Sequence, residues 1–228
     1  MKSSQLFDEW TTYERVVAND YMHHREYFDA LVAHLTDRFD TPIVMADLGC
    51  GDARPILPVL EAFAIQHYTG IDQSTGALDR ARNLLESAGV PFLLYAGSMQ
   101  EGIKNLGEPC DLIIASYSVH HLGELEKADL LHECRRMLVP GGTFAIIDVF
   151  MLADETRASY LRRWEDHARR NFTGLSANEL DELLDHVKEN DFPETISTYQ
   201  RLAGAAGFED VKTVKQGPEQ LNRLIFIS

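Results

Sequence analysis

An apolar run too short for a helix, Ile43-Val44-Met45-Ala46-Asp47-Leu48, passes through Gly49-Cys50-Gly51-Asp52 into a helical pattern. About twenty residues later a second run ends in Gly70-Ile71-Asp72. Strand, tight turn, helix and strand in that order build a parallel sheet, and the first run is apolar enough to be a strand buried on both faces. Ligands of such sheets sit at the carboxyl ends of the strands, where this turn falls. Gly49 and Gly51 let the backbone bend sharply and approach a ligand with no Cβ in the way. Asp72, at the end of the second strand, is placed to hold a ribose diol with two acceptor oxygens.

The turn also discriminates between ligands. A dinucleotide fingerprint requires a third glycine at position 54, where this chain has Arg54. A pyrophosphate at the following helix start would be repelled by Asp52. Asp47, Asp52 and Asp72 around one loop favour a ligand that carries adenosine and positive charge but no phosphate, which fits S-adenosylmethionine with its sulfonium.

With these residues in place the chain resembles the class I S-adenosylmethionine-dependent methyltransferase family. The first family motif, an acidic residue followed by G-x-G-x-G, is matched by Asp47, Gly49 and Gly51, with Ala53 at the last glycine. The second is matched by Asp72 beside Gln73, and the third by Tyr95-Ala96-Gly97-Ser98-Met99, where Ser98 replaces a frequent Asp and Met99 is expected to pack on adenine. The fourth runs from Cys110 through Ser116 and Tyr117 to His120-His121-Leu122, and the fifth is Leu138-Val139-Pro140-Gly141-Gly142 followed by a strand to Asp148. The resemblance covers residues 43 to 150 and fits the rest of the chain more loosely. It implies a doubly wound, mostly parallel seven-stranded α/β sheet of order 3-2-1-4-5-7-6, S-adenosylmethionine as cofactor and S-adenosylhomocysteine as product. It also implies cofactor contacts at Asp47, Gly49, Gly51, Asp52, Asp72, Gln73, Ser98, Met99 and Ser116.

Composition narrows the partners. With 36 acidic against 21 basic residues the net charge is −15, a surface that repels a polyanion. The one arginine-rich stretch, from Arg157 to Arg170, is interleaved with Asp154, Glu155, Glu165 and Asp166 and reads as a solvated helix face. A small-molecule substrate is expected, with no nucleic acid, no membrane, and a monomer or homodimer. The three cysteines lack C-x-x-C spacing, the start lacks an apolar signal core, and no apolar run reaches membrane-span length, so a cytoplasmic, reduced setting is expected.

Strands are expected near 43–48, 67–72, 92–96, 111–116, 143–149, 208–214 and 222–227, and helices near 53–65, 75–88, 124–138 and 196–206. Residues 1–40 read as helices whose apolar face carries Tyr13, Val17, Tyr21, His24, Phe28 and Leu31. Helices near 154–171 and 176–190 form an insertion after the fifth strand. The expected division is therefore a 1–40 helical cap segment, a 41–150 cofactor-binding core, a 151–195 cap insertion, and a 196–228 segment that completes the core.

The expected chemistry is direct in-line transfer of the sulfonium methyl to an oxygen, nitrogen or carbon nucleophile. Alignment and exclusion of water carry most of such a reaction. A histidine suits any proton that must leave the acceptor. His120 is expected toward the acceptor, with Tyr117 close behind and His121 packed below, although a purely structural histidine pair remains open. Tyr13, Tyr21 and Asp148 are candidate substrate contacts, and Asp148 reads equally as a solvated strand end. No metal is expected, because the fourth motif offers its histidines without a neighbouring Asp or Glu set of octahedral ligands. Two other readings stay open: a non-catalytic S-adenosylmethionine-binding protein, and an NAD-dependent oxidoreductase.

Overall fold

A computed structural model describes residues 15–228. Seven strands, β1 (Ile43–Leu48), β2 (Ile65–Asp72), β3 (Phe92–Ala96), β4 (Cys110–Ser116), β5 (Leu138–Val149), β6 (Val211–Gln216) and β7 (Asn222–Ile227), form one sheet. Its order is β3-β2-β1-β4-β5-β7-β6, parallel except for β7, which is antiparallel to both neighbours. The order expected from the motifs is the one found. Every residue of β1 is buried, as its unbroken apolar run requires of a central parallel strand.

Eight named helices flank the sheet: α1 (His24–Leu35), α2 (Leu57–Ala62), α3 (Thr75–Ala88), α4 (Met99–Lys104), α5 (Glu124–Met137), α6 (Arg157–Asn171), α7 (Ala177–Asn190) and α8 (Ile196–Ala206). One face packs against α1, α2, α3, α6 and α7 through Tyr27, Leu31, Val59, Leu85, Trp164 and Leu184. The other packs against α4, α5 and α8 through Ile103, Leu131 and Leu202. Among the described residues no helix is long and apolar enough to cross a membrane.

Several elements depart from the expected bounds, among them β6, which runs 211–216 and not 208–214, and three differences have a local cause. The helix after β1 starts at Leu57, not residue 53, because Ala53 is left-handed (φ 60°) and Pro55 holds the chain out of the helix. Asp52 therefore lies in a loop rather than at a helix start. Strand β5 begins at Leu138, since the chain passes through the Gly141-Gly142 pair as an irregularity in its ladder with β4 instead of leaving the sheet. The short helix α4, unforeseen, is capped by Ser98, whose Oγ accepts from the Glu101 amide at 3.2 Å.

Residues 15–18 are helical and a turn with left-handed Asp20 and His23 leads into α1, so the N-terminal helical pattern is broken at its middle. This segment clasps the insertion. Tyr21 stacks on Phe172 at 4.5 Å, and its hydroxyl accepts from the Gly174 amide at 2.6 Å. Arg15 donates to the Gly174 carbonyl at 2.5 Å and to Glu179.

The turn after β1 is tightly packed. Gly49 is left-handed (φ 76°), and a Cβ built on it would stand 2.5 Å from Ser118 Cβ, whereas Gly51 (φ 55°) faces open space. Gly51→Ala meets only the left-handed penalty and should cost about 1–2 kcal/mol. Gly49→Ala meets that penalty and the collision, so denaturant melts should show it losing clearly more stability than Gly51→Ala; equal losses would mean Ser118 yields without cost.

Candidate active site

Three strand ends converge at that turn. The amides of Gly49 and Cys50 both donate to the Ile71 carbonyl, at 2.8 and 3.0 Å, which ties the β1 turn to the end of β2. Asp72 completes the stitch: Oδ2 accepts from the Gly51 amide and Oδ1 from the Ser74 amide, each at 2.8 Å. Each carboxylate oxygen has a second lone pair, so Asp72 can hold the loop and still accept two ligand hydroxyls. On the β4 side the Ser118 hydroxyl donates to the Leu48 carbonyl at 2.7 Å.

A cleft opens over this turn, lined by His24, Phe28, Asp47, Gly49, Asp52 and Ser116, among others. Asp47 is buried, and Tyr68 donates its hydroxyl to Oδ2 at 2.9 Å. Burial pushes the Asp47 carboxyl up to about 7 against that hydrogen bond, with the Asp72 charge adding to the rise. Asp52 differs from the expectation of a free negative charge. Arg54 closes on it, with Nε 2.5 Å from Oδ2 and the amide 3.1 Å from Oδ1. Of the three aspartates, Asp47 and Asp72 are the ones with no cationic side chain against them among the described residues.

Two polar atoms here are buried with no hydrogen-bond partner among the described residues, His24 Nδ1 and Ser116 Oγ. His24 starts α1, and its ring meets Tyr117 edge-on at 4.8 Å. Burial lowers its pKa to about 4 despite nearby Asp20 and Asp52, so it is neutral at physiological pH. Sequence reading placed His24 on an apolar helix face and missed its position in the cleft. The one signal was an imidazole amid that otherwise apolar stripe.

The other expected residues are distributed differently. Tyr117 is left-handed (φ 49°), and its hydroxyl donates to the Met22 carbonyl, anchoring the N-terminal segment. The Ser98 hydroxyl is engaged in its helix cap, Gln73 is exposed beside Asp72, and Met99 packs on the core beneath α4. The Tyr21 hydroxyl is taken by Gly174, and Tyr13 lies outside the described residues.

The histidine pair sits away from the cleft lining, and three expectations about it need correction. First, the chain after β4 forms a 3₁₀ turn, Val119–His121, so strand alternation does not apply; His120 is buried and the His121 side chain is 42% exposed, the reverse of the expected packing. Second, Asp148 is neither solvated nor open to substrate. It is fully buried, with Oδ1 2.5 Å from His120 Nδ1 and Oδ2 3.0 Å from the His120 amide. Third, carboxylates do stand beside the pair, because Asp191 at the end of α7 lies 3.5 Å from His120 Nε2. Burial alone would lower the His120 pKa, but Asp148 and Asp191 outweigh it and raise it to about 9. A histidine already protonated at neutral pH is a poor general base.

A methyltransferase-domain family matches residues 45–142. The chain is 26% identical over 145 residues to carboxy-S-adenosyl-L-methionine synthase of Pseudomonas putida, covering 62% of this chain and 58% of that one. It is 30% identical over 125 residues to trans-aconitate 2-methyltransferase of Streptomyces coelicolor, covering 54% and 40%. Human N-acetylserotonin methyltransferase, solved in complex with SAM, superposes with a TM-score of 0.57 at 18% identity, over 95% of this chain and 56% of that one. At that identity the likeness is one of fold. The chain spans little more than half the length of the curated relative from Pseudomonas.

Asp47 generates a prediction whose sign is fixed by the direction of its shift. Its pKa is raised from 3.8 to about 7, so between those values the folded chain holds a proton that the unfolded chain releases. Stability therefore falls as pH rises through that window, and the full penalty stands above it. Asp47→Asn keeps an acceptor for Tyr68 and removes the charge. The ligand-free variant should melt several degrees above the parent at pH 8, on a scale of roughly 2–4 °C per kcal/mol, with the gain shrinking as pH is lowered toward 4. A gain independent of pH would mean that the Asp47 charge is not the cause.

Proposed function

We infer, for a chain that belongs to the class I S-adenosylmethionine-dependent methyltransferase family, that it transfers a methyl group from S-adenosylmethionine to a small-molecule acceptor. The observation that carries this reading is the pair Asp47, in the cleft lining, and Asp72, tied to the same glycine turn through the Gly51 amide, neither with a cationic side chain against it among the described residues. A buried carboxylate in that state favours a ligand that brings its own positive charge. The fit extends to the backbone. Gly51 faces open space at the turn, and His24 Nδ1 and Ser116 Oγ are buried polar atoms with no hydrogen-bond partner among the described residues.

Asp72 is assigned the ribose hydroxyls, and Asp47 the cationic end of the cofactor. When bound, S-adenosylmethionine supplies a methyl group on a sulfonium, a good leaving group. The protein's part is then to align an acceptor and exclude water, an effect worth up to about 7–11 kcal/mol in well-oriented systems. Neutral His24 is suited to orient the acceptor, because an imidazole nitrogen with no hydrogen-bond partner among the described residues can take a hydrogen bond from an O–H or N–H. The segment at residues 15–23, clasped to the insertion, supplies the cover over the cleft. The net charge of −15 argues for a small acceptor over a nucleic acid.

Calorimetric titration with S-adenosylhomocysteine tests the cofactor assignment. Binding should be saturable, with NAD giving no heat. Asp72→Ala should weaken it at least tenfold, since hydrogen bonds to a charged group contribute about 1.5–3 kcal/mol each. The same variant should also melt lower, because the Gly51 and Ser74 amides lose their acceptor. Asp72→Asn, which retains one carbonyl acceptor, should melt nearer the parent yet still bind weakly. An Asp72→Asn protein with parental affinity would remove Asp72 from the site. With labelled S-adenosylmethionine and an acceptor in hand, His24→Ala should cut turnover about 10–100-fold while leaving S-adenosylhomocysteine affinity within twofold. Unchanged turnover would make His24 a packing residue.

A further inference from the structure

We propose that His120, His121 and Asp191 form a binding site for one divalent transition-metal ion of the zinc class, outside the cofactor cleft and independent of the methyl-transfer reading. One potential ligand atom from each residue lies within 4.8 Å of the others, with no ion present. His120 Nε2 is 3.5 Å and His121 Nδ1 is 3.7 Å from the same atom, Asp191 Oδ1. These separations are long for hydrogen bonds. Both lie near the roughly 3.3–3.4 Å that metal–ligand bonds of about 2.0–2.1 Å set between tetrahedral corners, and the two imidazoles, within 4.8 Å of each other, close the third edge as the ion binds.

The surroundings are those of a built site. Asp191 is 4% exposed, and its carboxylate contacts are these two imidazoles. His120 is fixed by Asp148, which takes Nδ1 at 2.5 Å and the backbone amide at 3.0 Å and so turns Nε2 toward Asp191. A carboxylate on the far nitrogen is how metal-bound histidines are oriented, and the ion takes the place of the proton that His120 otherwise carries on Nε2, so uptake releases that proton. The backbone carries the same junction: the Phe192 amide donates to the His120 carbonyl at 2.7 Å, and buried Lys127 donates to the Phe192 carbonyl at 2.7 Å. Two imidazoles and one carboxylate suit zinc, cobalt or nickel better than calcium or magnesium, which prefer all-oxygen sets.

His121 is the half-exposed member and leaves a fourth position open to water. In the metal-free protein its Nδ1 meets the Asn190 carbonyl at 3.2 Å. Coordination requires the His121 tautomer protonated on Nε2, so this contact is exchanged for the metal bond. The ligands come from the turn after β4 and from the end of α7, so the ion staples the inserted helices to the sheet.

The test is titration of the EDTA-treated, desalted full chain with zinc sulfate in a non-chelating buffer, alongside melting curves and cobalt(II) absorption. The expected result is one equivalent bound with a micromolar or tighter dissociation constant, a higher melting temperature, and a visible cobalt band of near-tetrahedral intensity. His121→Ala, at an exposed position that tolerates truncation, and Asp191→Asn should each weaken zinc binding at least tenfold and abolish the cobalt band. No zinc uptake by the parent would overturn the proposal and leave a metal-free ion triad. Uptake that both variants retain would also overturn it, by placing the metal elsewhere.

Discussion

The buried carboxylate of Asp47 beside a turn that admits no side chain is the constraint on which the rest of this molecule depends. The turn closes because the Gly49 and Cys50 amides share the Ile71 carbonyl and because Ser118 packs where a Gly49 Cβ would be. Those contacts draw the ends of β1, β2 and β4 to one point. Buried there with Asp72 nearby, and with the Tyr68 hydrogen bond only partly offsetting this, Asp47 sits in a place that disfavours its charge. The fold carries this instability at the carboxyl edge of the sheet, where a cationic ligand relieves it, and the cost is local because the sheet is buried on both faces elsewhere.

The covering elements serve two separate clusters. Over the cleft, the N-terminal segment brings His24, held edge-on to Tyr117, while Tyr21 and Arg15 tie the same segment to the loop after α6. On the neighbouring edge, the end of α7 brings Asp191 against the histidines that follow β4. The insertion thus touches both the cap and the sheet edge, and its position depends on contacts made at each. The buried Asp148–His120 pair anchors the second of these and orders the turn after β4, while cleft-lining Ser116 ends the strand itself.

Much of this was legible in the residues. The strand order was implied by the family resemblance that five motifs carry, and the carboxylates at the ends of β1 and β2 were visible as residues that end apolar runs. What was not legible depended on contacts distant in sequence or on local dihedrals. Nothing near Asp52 in the pattern shows that Arg54 folds back on it, because a left-handed Ala53 decides that. The orientation of His120 and His121 followed from a 3₁₀ turn where period-two alternation was assumed, and their carboxylate partners come from β5 and from the far end of α7. His24 was read as part of an apolar stripe because a helical period reports which face is inward, and an inward face can border a cleft as well as a core.

The central claim is that Asp47 waits partly protonated for a cation. The most direct test is calorimetry of S-adenosylhomocysteine binding at pH 6.5 in buffers of different ionisation enthalpy. A carboxyl with a pKa of about 7 is mostly protonated there, and an ammonium group beside it should expel the proton. The account predicts heats that vary with the buffer, corresponding to a substantial fraction of a proton released, and a buffer-independent heat for Asp47→Asn. A parent protein whose binding heat is the same in every buffer would contradict it.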